Sequence, residues 1–214
     1  PVPFPVDDDT RSRMVGVKPV GELGRLIKQI AAQPDRGRDR GMRVAVIGGG
    51  PSAVEIAANL RARCRKETVP VCGRLEVALY TQDERLLTGK PQRAGTIALD
   101  HLRRTGIELR FKRKVTAIES GMISFENGAD EPVDMVILAT GLAVGPLFQR
   151  SSLPVDRTGA LRVGRTLQAG RYPIFAGGDC ASWPDYPLEK IGVHAVFQSR
   201  VLLRNIIALA KGEA

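Results

Sequence analysis

The apolar pattern is densest at 42–47, Met-Arg-Val-Ala-Val-Ile, an apolar run broken only by Arg43. Such runs mark strands buried on both faces of a parallel sheet. A helix is predicted over about 51–66, carrying Val54, Ala57, Ala58 and Leu60. Residues 75–81 predict a second strand, and 96–105 a second helix ending at Gly106. Short strands follow at 107–111, 115–119 and 122–126, separated by basic or glycine breaks, and Asn127-Gly128 signals a turn. Residues 133–139 predict a buried return strand that ends in Thr140-Gly141. Strand, helix, strand, helix, β-meander and return strand together predict an α/β, Rossmann-like, three-layer nucleotide-binding domain over 42–142.

The flanks read differently. Residues 1–19 hold four prolines and the run Asp7-Asp8-Asp9, which is loop or linker chemistry. A short helix is predicted over 20–32, with Leu23, Leu26, Ile27 and Ile30 on one face, and the polar stretch 35–41 is a natural boundary. Beyond Gly141 the chain is loop-rich, with strands predicted at 161–163 and 173–176, a turn at 177–179 and a long apolar helix over 192–210. The expected division is 1–41, 42–142 and 143–214.

Composition narrows the function classes. With 43% hydrophobic and 26% charged residues in 214, the chain is an ordinary globular one. Its net charge of +9 includes basic clusters at 61–66 and 110–114. Aromatic residues are 5% and do not interleave with those clusters, so a solvated basic surface is expected rather than a nucleic-acid face. Cys64, Cys72 and Cys180 show neither a Cys-x-x-Cys nor a metal-ligand spacing, which fits a reducing, cytoplasmic setting and no metal. There is no transmembrane-length apolar run and no signal peptide, and the start at Pro1 suggests a chain cut at its beginning.

Gly48-Gly49-Gly50-Pro51-Ser52-Ala53 fits Gly-x-Gly-x-x-(Gly/Ala) between a predicted strand and helix. Gly48 permits the tight turn, Gly50 lets the backbone approach a pyrophosphate, and Ala53 is small enough for close helix–strand packing. Pro51 suits a first helical turn, where backbone N–H groups and the helix dipole meet an anion. Glu55 either complements the helix N-terminus or lies near the nicotinamide end of a dinucleotide. At the end of the second strand, the position that carries a ribose-binding carboxylate in NAD sites is Thr81, which is neutral. Arg85 would face a 2′-phosphate or pair with Asp83 or Glu84; the balance favours NADH over NADPH.

These residues, with Val136-Ile137-Leu138-Ala139-Thr140-Gly141 and Ile174-Phe175-Ala176-Gly177-Gly178-Asp179, resemble the pyridine nucleotide–disulfide oxidoreductase flavoproteins over nearly the whole chain. Within that family the chain is most similar to type II NADH dehydrogenase-like members, including those fused to selenide, water dikinase. The stretches carrying this are Val17-Lys18-Pro19-Val20, Thr166-Leu167-Gln168 and Glu189-Lys190-Ile191-Gly192-Val193-His194-Ala195-Val196. The resemblance implies FAD and NAD(P)H as cofactors, with the NAD(P)H domain inserted in a split FAD-binding domain of which this chain holds the C-terminal part. Thr140 and Gly141 would mark the return crossing. Gly178 and Asp179 would meet the flavin ribityl chain, although a turn aspartate capping a following helix is the alternative. Lys190, Gly192, Val193 and His194 would pass the flavin ring, with His194 equally readable as packing.

The family's opening flavin fingerprint is not in residues 1–41, so the chain is read as an internal portion. The resemblance implies hydride transfer from NAD(P)H to FAD and on to a small-molecule acceptor such as a quinone. In such flavoproteins the cofactor carries the chemistry, and no acid–base residue is named as catalytic. Peripheral membrane association of a full-length parent and a homodimer are further expectations. The alternative is a nucleotide-binding module without turnover of its own.

Overall fold

Alternate residues of one strand enter two different cores, Val44 and Val46 on one side and Ala45 and Ile47 on the other. That strand is β2 (Met42–Ile47) in a computed structural model that describes residues 4–17, 24, 41–66, 75–141 and 144–213. The chain divides into two compact units, 1–141 and 142–214.

In the first unit the elements are α1 (Asp8–Ser12), β1 (Met14–Gly16), β2, α2 (Pro51–Lys66), β3 (Leu75–Tyr80), α3 (Gln92–Arg104) and β4 (Glu108–Arg110). They are followed by β5 (Val115–Glu119), β6 (Met122–Phe125), β7 (Asp130–Pro132) and β8 (Met135–Leu138). Among the described residues a five-stranded sheet runs β1-β8-β2-β3-β4, parallel throughout. Ala45 sits between Ala78 and Val136 in register. On one face Ala53, Ala57 and Leu60 of α2 and Ala98 and Leu102 of α3 pack on Val46, Val77, Leu79 and Ile137. On the other face the antiparallel meander β5-β6-β7 brings Ile118, Ile123 and Phe125 onto Ile47, Tyr80 and Val136. The result is the three-layer Rossmann-like unit that the hydrophobic pattern predicts.

Three local expectations need correction. The loop expected over 1–19 contains a helical turn and an edge strand: Asp7 caps α1 by accepting from the Thr10 N–H at 2.6 Å, and β1 pairs with β8. Met14 and Val15 lie between the prolines and are free to pair, and Val15 is fully buried. Helix α3 begins at Gln92, directly after Pro91 and ahead of the apolar periodicity, and within it Gly95 packs so closely that a β-carbon would lie 2.6 Å from the Leu86 carbonyl oxygen. A strand that was not expected precedes the return strand: polar Asp130–Pro132 pairs with β6 as β7, and β8 then starts at Met135. The helix expected over 20–32 lies, Gly24 apart, outside the described residues.

The second unit holds β9 (Leu161–Arg162), a 3-10 turn (Gly178–Cys180), β10 (Ala181–Ser182) and α4 (Gly192–Lys211). Leu161, Val163, Leu167, Ala169, Ala176 and Ala181 form its core, with Phe148, Trp183, Val201 and Leu202 against them. The strand expected over 173–176 is only one bridge, Gln168 to Phe175. Ala169 N–H donates to the Ile174 carbonyl and Ala176 N–H to that of Leu167, so the hairpin is too short for a ladder. Helix α4, expected over 192–210, runs to Lys211 and ends on a glycine, Gly212, at φ +73°.

Candidate functional site

Three glycines join β2 to α2, and each does something different. The Gly48 N–H donates to the Tyr80 carbonyl at 2.8 Å, and its φ of +139° is one that side-chain-bearing residues rarely adopt. A β-carbon there would lie 2.3 Å from the Ala139 carbonyl oxygen and 3.4 Å from the Thr140 nitrogen. At Gly49 it would lie 2.5 Å from Thr81 Oγ1. At Gly50 it would meet nothing within 4 Å. The glycine loop is therefore flush against the protein on one side and open at Gly50. Pro51 and Ser52 are exposed on the first turn of α2, and Ala53 is fully buried beneath it. The first backbone turn closes with the Val54 N–H on the Gly50 carbonyl at 3.2 Å. The N–H groups of Ser52 and Ala53 precede it and have no intrahelical acceptor. Glu55 is exposed on α2.

The end of β3 differs from expectation. Thr81 is 3% exposed, and its Oγ1 accepts from the Asp83 N–H at 3.2 Å. Arg85 faces neither Asp83 nor Glu84. Its guanidinium donates to the carbonyls of Leu86, Leu87, Thr88 and Lys90, at 3.5, 3.3, 2.8 and 3.2 Å. Glu84 instead pairs with Lys112 at 2.7 Å, and that ammonium holds its carboxyl below the usual carboxylate range. The loop returns to the glycines through the Leu87 N–H, which donates to the Gly49 carbonyl at 2.8 Å.

At the return crossing, the Ala139 N–H donates to the Ile47 carbonyl at 2.8 Å, which carries exposed Thr140 and Gly141 alongside Gly48. Gly141 has φ +101°.

In the second unit the turn at Gly178 packs on α4. The Gly178 N–H donates to Gln198 Oε1 at 2.6 Å, and a β-carbon on Gly178 would lie 3.0 Å from that of Ala195. Asp179 follows in this turn and does not cap α4, whose N-cap residue is Ile191 with no side-chain cap bond. Lys190 Nζ donates to the Ala181 carbonyl. Gly192 and Val193 are exposed, and His194 is half-buried with its N–H on the Ile191 carbonyl at 3.1 Å. Cys180 Sγ donates to the Gly177 carbonyl at 3.2 Å. Each unit thus assembles its own group of expected residues.

Several members of the basic clusters are tied into the fold. Arg110 pairs with Glu108 at 2.6 Å and Lys114 with Glu126 at 2.6 Å, and Arg113 lies over the Phe125 ring at 5.4 Å. Arg61 bonds the Thr105 and Leu75 carbonyls at 3.1 and 3.0 Å. Residues of β2, β3, β4 and β7 line a cavity of about 370 Å³, apart from the glycine loop. There, burial and a 2.8 Å hydrogen bond to Glu131 push the Tyr80 hydroxyl well above its ordinary range. Among the described residues, no group of three or more His, Cys, Asp or Glu side chains is placed to hold a metal ion. Among them, too, no helix is long and apolar enough to cross a membrane.

The family model described as pyridine nucleotide-disulphide oxidoreductase matches residues 10–203, and the chain belongs to that family. It is similar to ferroptosis suppressor protein 1 of Taeniopygia guttata, 30% identical over 182 residues, which are 79% of this chain and 46% of that protein. It is also similar to the type II NADH:quinone oxidoreductase of Haemophilus influenzae, 27% identical over 146 residues, 65% of this chain and 33% of that one. The chain spans less than half the length of these relatives. The crystal structure of reduced Bacillus anthracis CoADR-RHD shares the fold, with a TM-score of 0.73 and 21% identity over 100% of this chain and 36% of that one.

Proposed function

We propose that this chain is the nucleotide-binding portion of an FAD-dependent NAD(P)H oxidoreductase of the NADH dehydrogenase-like kind, whose electrons pass on to a small-molecule acceptor of the quinone class. The observation that carries this reading is the asymmetry of the glycine loop. Gly48 and Gly49 are closed against Ala139 and Thr81, while Gly50 opens to solvent beside the first turn of α2. That shape suits a pyrophosphate held by backbone N–H groups at a helix N-terminus. The family match and the name of the Haemophilus relative support NAD(P)H as donor and a quinone as acceptor.

For FAD, the residues offered are Gly178, Asp179 and the start of α4. Lys190, by bonding the Ala181 carbonyl, holds the segment entering α4 against β10. The N-terminus of α4, lacking a side-chain cap, leaves its first N–H groups available to an electron-rich ring edge. FAD, when bound, supplies the ring that takes up a hydride and gives up electrons to the acceptor. The chain's own contribution is to bind and orient.

A second reading is favoured by the single glycine fingerprint in the sequence: a module that holds NAD(P)H without turnover of its own. Purified protein distinguishes the two. A flavin absorption band that bleaches on adding NADH, with reduction of a water-soluble quinone, supports the oxidoreductase. A colourless protein that quenches NADH fluorescence supports the module. Failure to bind either nucleotide overturns both.

A further inference from the structure

We infer that Asp83 selects the nucleotide, accepting hydrogen bonds from the adenosine ribose of NADH and disfavouring NADPH. This rests on the reading of the glycine loop as the dinucleotide site. The strand-end position expected to carry such a carboxylate is Thr81, but its side chain is turned in: it is 3% exposed and lies under Gly49. Two residues later the chain supplies the missing group. Asp83 Oδ2 lies 3.4 Å from the point where a β-carbon on Gly49 would sit, so a carboxylate borders the glycine loop directly.

Its placement is built by several neighbours. The Asp83 N–H bonds Thr81 Oγ1 at 3.2 Å, and its carbonyl accepts from the Lys112 N–H at 3.1 Å. The hydroxyls of Thr81 and Thr88 both approach Oδ2, at 3.5 and 3.4 Å, and neither reaches Oδ1. The Leu87 N–H ties the loop to the Gly49 carbonyl at 2.8 Å, and Arg85 gathers the carbonyls of 86, 87, 88 and 90.

The same contacts decide against a 2′-phosphate. A phosphate there needs a cation, and two that lie by this loop are engaged: Arg85 with carbonyls, and Lys112, whose N–H bonds the Asp83 carbonyl, with Glu84 at 2.7 Å. A carboxylate accepts from ribose hydroxyls but repels a phosphate in their place. Selectivity therefore comes from a residue two positions beyond the usual one.

The test is NADH and NADPH titration of the 214-residue chain, followed by fluorescence, with Asp83→Asn, Glu84→Gln and Gly50→Val. Wild type is expected to bind NADH about tenfold or more tightly than NADPH, the scale of one hydrogen bond to a charged group. Asp83→Asn should bring the two affinities within about threefold of each other, and Glu84→Gln, which releases Lys112 from its ion pair, should move the ratio toward NADPH by less than Asp83→Asn does. A merely structural role for Asp83 would weaken both nucleotides and leave the ratio alone. An unchanged ratio in Asp83→Asn, or a wild type that prefers NADPH, overturns the inference. If Gly50→Val still abolishes binding in that case, the dinucleotide site itself stands. If the wild type binds neither nucleotide, or Gly50→Val binds normally, the site reading fails instead.

Discussion

Gly48 approaches Ala139 so closely that a β-carbon on the glycine would lie 2.3 Å from the alanine carbonyl oxygen. That carbonyl belongs to the backbone leaving β8, and the Ala139 N–H is itself held by Ile47 at 2.8 Å. The nucleotide loop and the return crossing are thus locked to each other through backbone atoms, with no side chain free to move aside.

Gly48→Ala should therefore fail on stability before it fails on binding. The φ of +139° adds backbone strain to the clash, and strain of this kind alone costs about 1–3 kcal/mol. The expected result is a Tm lowered by about 5 °C or more, measured by circular dichroism. An unchanged Tm would mean that the loop and β8 are not in contact.

Gly50→Val should behave in the opposite way. No atom lies within 4 Å of a β-carbon at that position, so the fold has room for a side chain. The valine would occupy the approach of the pyrophosphate. Thermal stability should stay within about 1 kcal/mol of wild type, while NADH no longer quenches or shifts in fluorescence titration.

What was legible beforehand follows from how far each signal reaches along the chain. The glycine loop, β5 and the helix from Pro51 rest on dihedral freedom or local periodicity, and all are readable within a dozen residues. The strand β1 was not, because Val15 joins the core with Val46 and Ile137 only once its strand pairs with β8, far away in sequence. Asp130–Pro132 is too polar to suggest a strand, and it becomes one through the register of β6. Arg85 looked like a phosphate ligand or an ion-pair partner because sequence shows charges and hides carbonyls. Its actual acceptors are four backbone oxygens of its own loop.

That geometry makes Arg85→Lys a disruptive change despite the kept charge. A planar guanidinium reaches several carbonyls at once, and an ammonium on a flexible stem does not. The loop should loosen at a cost of about 1–2 kcal/mol. NADH and NADPH should then weaken by similar factors, because the carrier of the loop is lost and not the selecting group. Tm and paired titrations check this; a switch toward NADPH would contradict it.

In the second unit, Gln198→Leu removes the acceptor of the Gly178 N–H, which Oε1 meets at 2.6 Å. A backbone donor left without a partner costs about 1–3 kcal/mol. Trp183 is the chain's one tryptophan and packs on the core of this unit, so its fluorescence in urea reports unfolding there specifically. The midpoint should fall, with the circular dichroism signal of the first unit unfolding at its original concentration.

The same tryptophan reads out an acid transition centred on Asp156. Burial alone would raise this carboxyl, but hydrogen bonds from the side chains of Thr158 and Ser182 and from the N–H groups of Thr158 and Ala160 outweigh it, holding it at about 2. Oδ1 takes three of these bonds, at 2.7 Å from Thr158 Oγ1 and at 2.8 and 3.1 Å from the N–H groups of Thr158 and Ala160. The folded form thus binds its proton less readily than the unfolded chain, whose carboxyl titrates near 3.8. The resulting stability is fully present above that value and is lost as pH falls from about 4 toward 2. Since the carboxylate is partly open to solvent, its share is about 1 kcal/mol. Urea midpoints from Trp183 should fall over that interval in wild type, and Asp156→Asn should start lower and change less. Equal acid sensitivity in the two proteins would place the transition on other carboxylates.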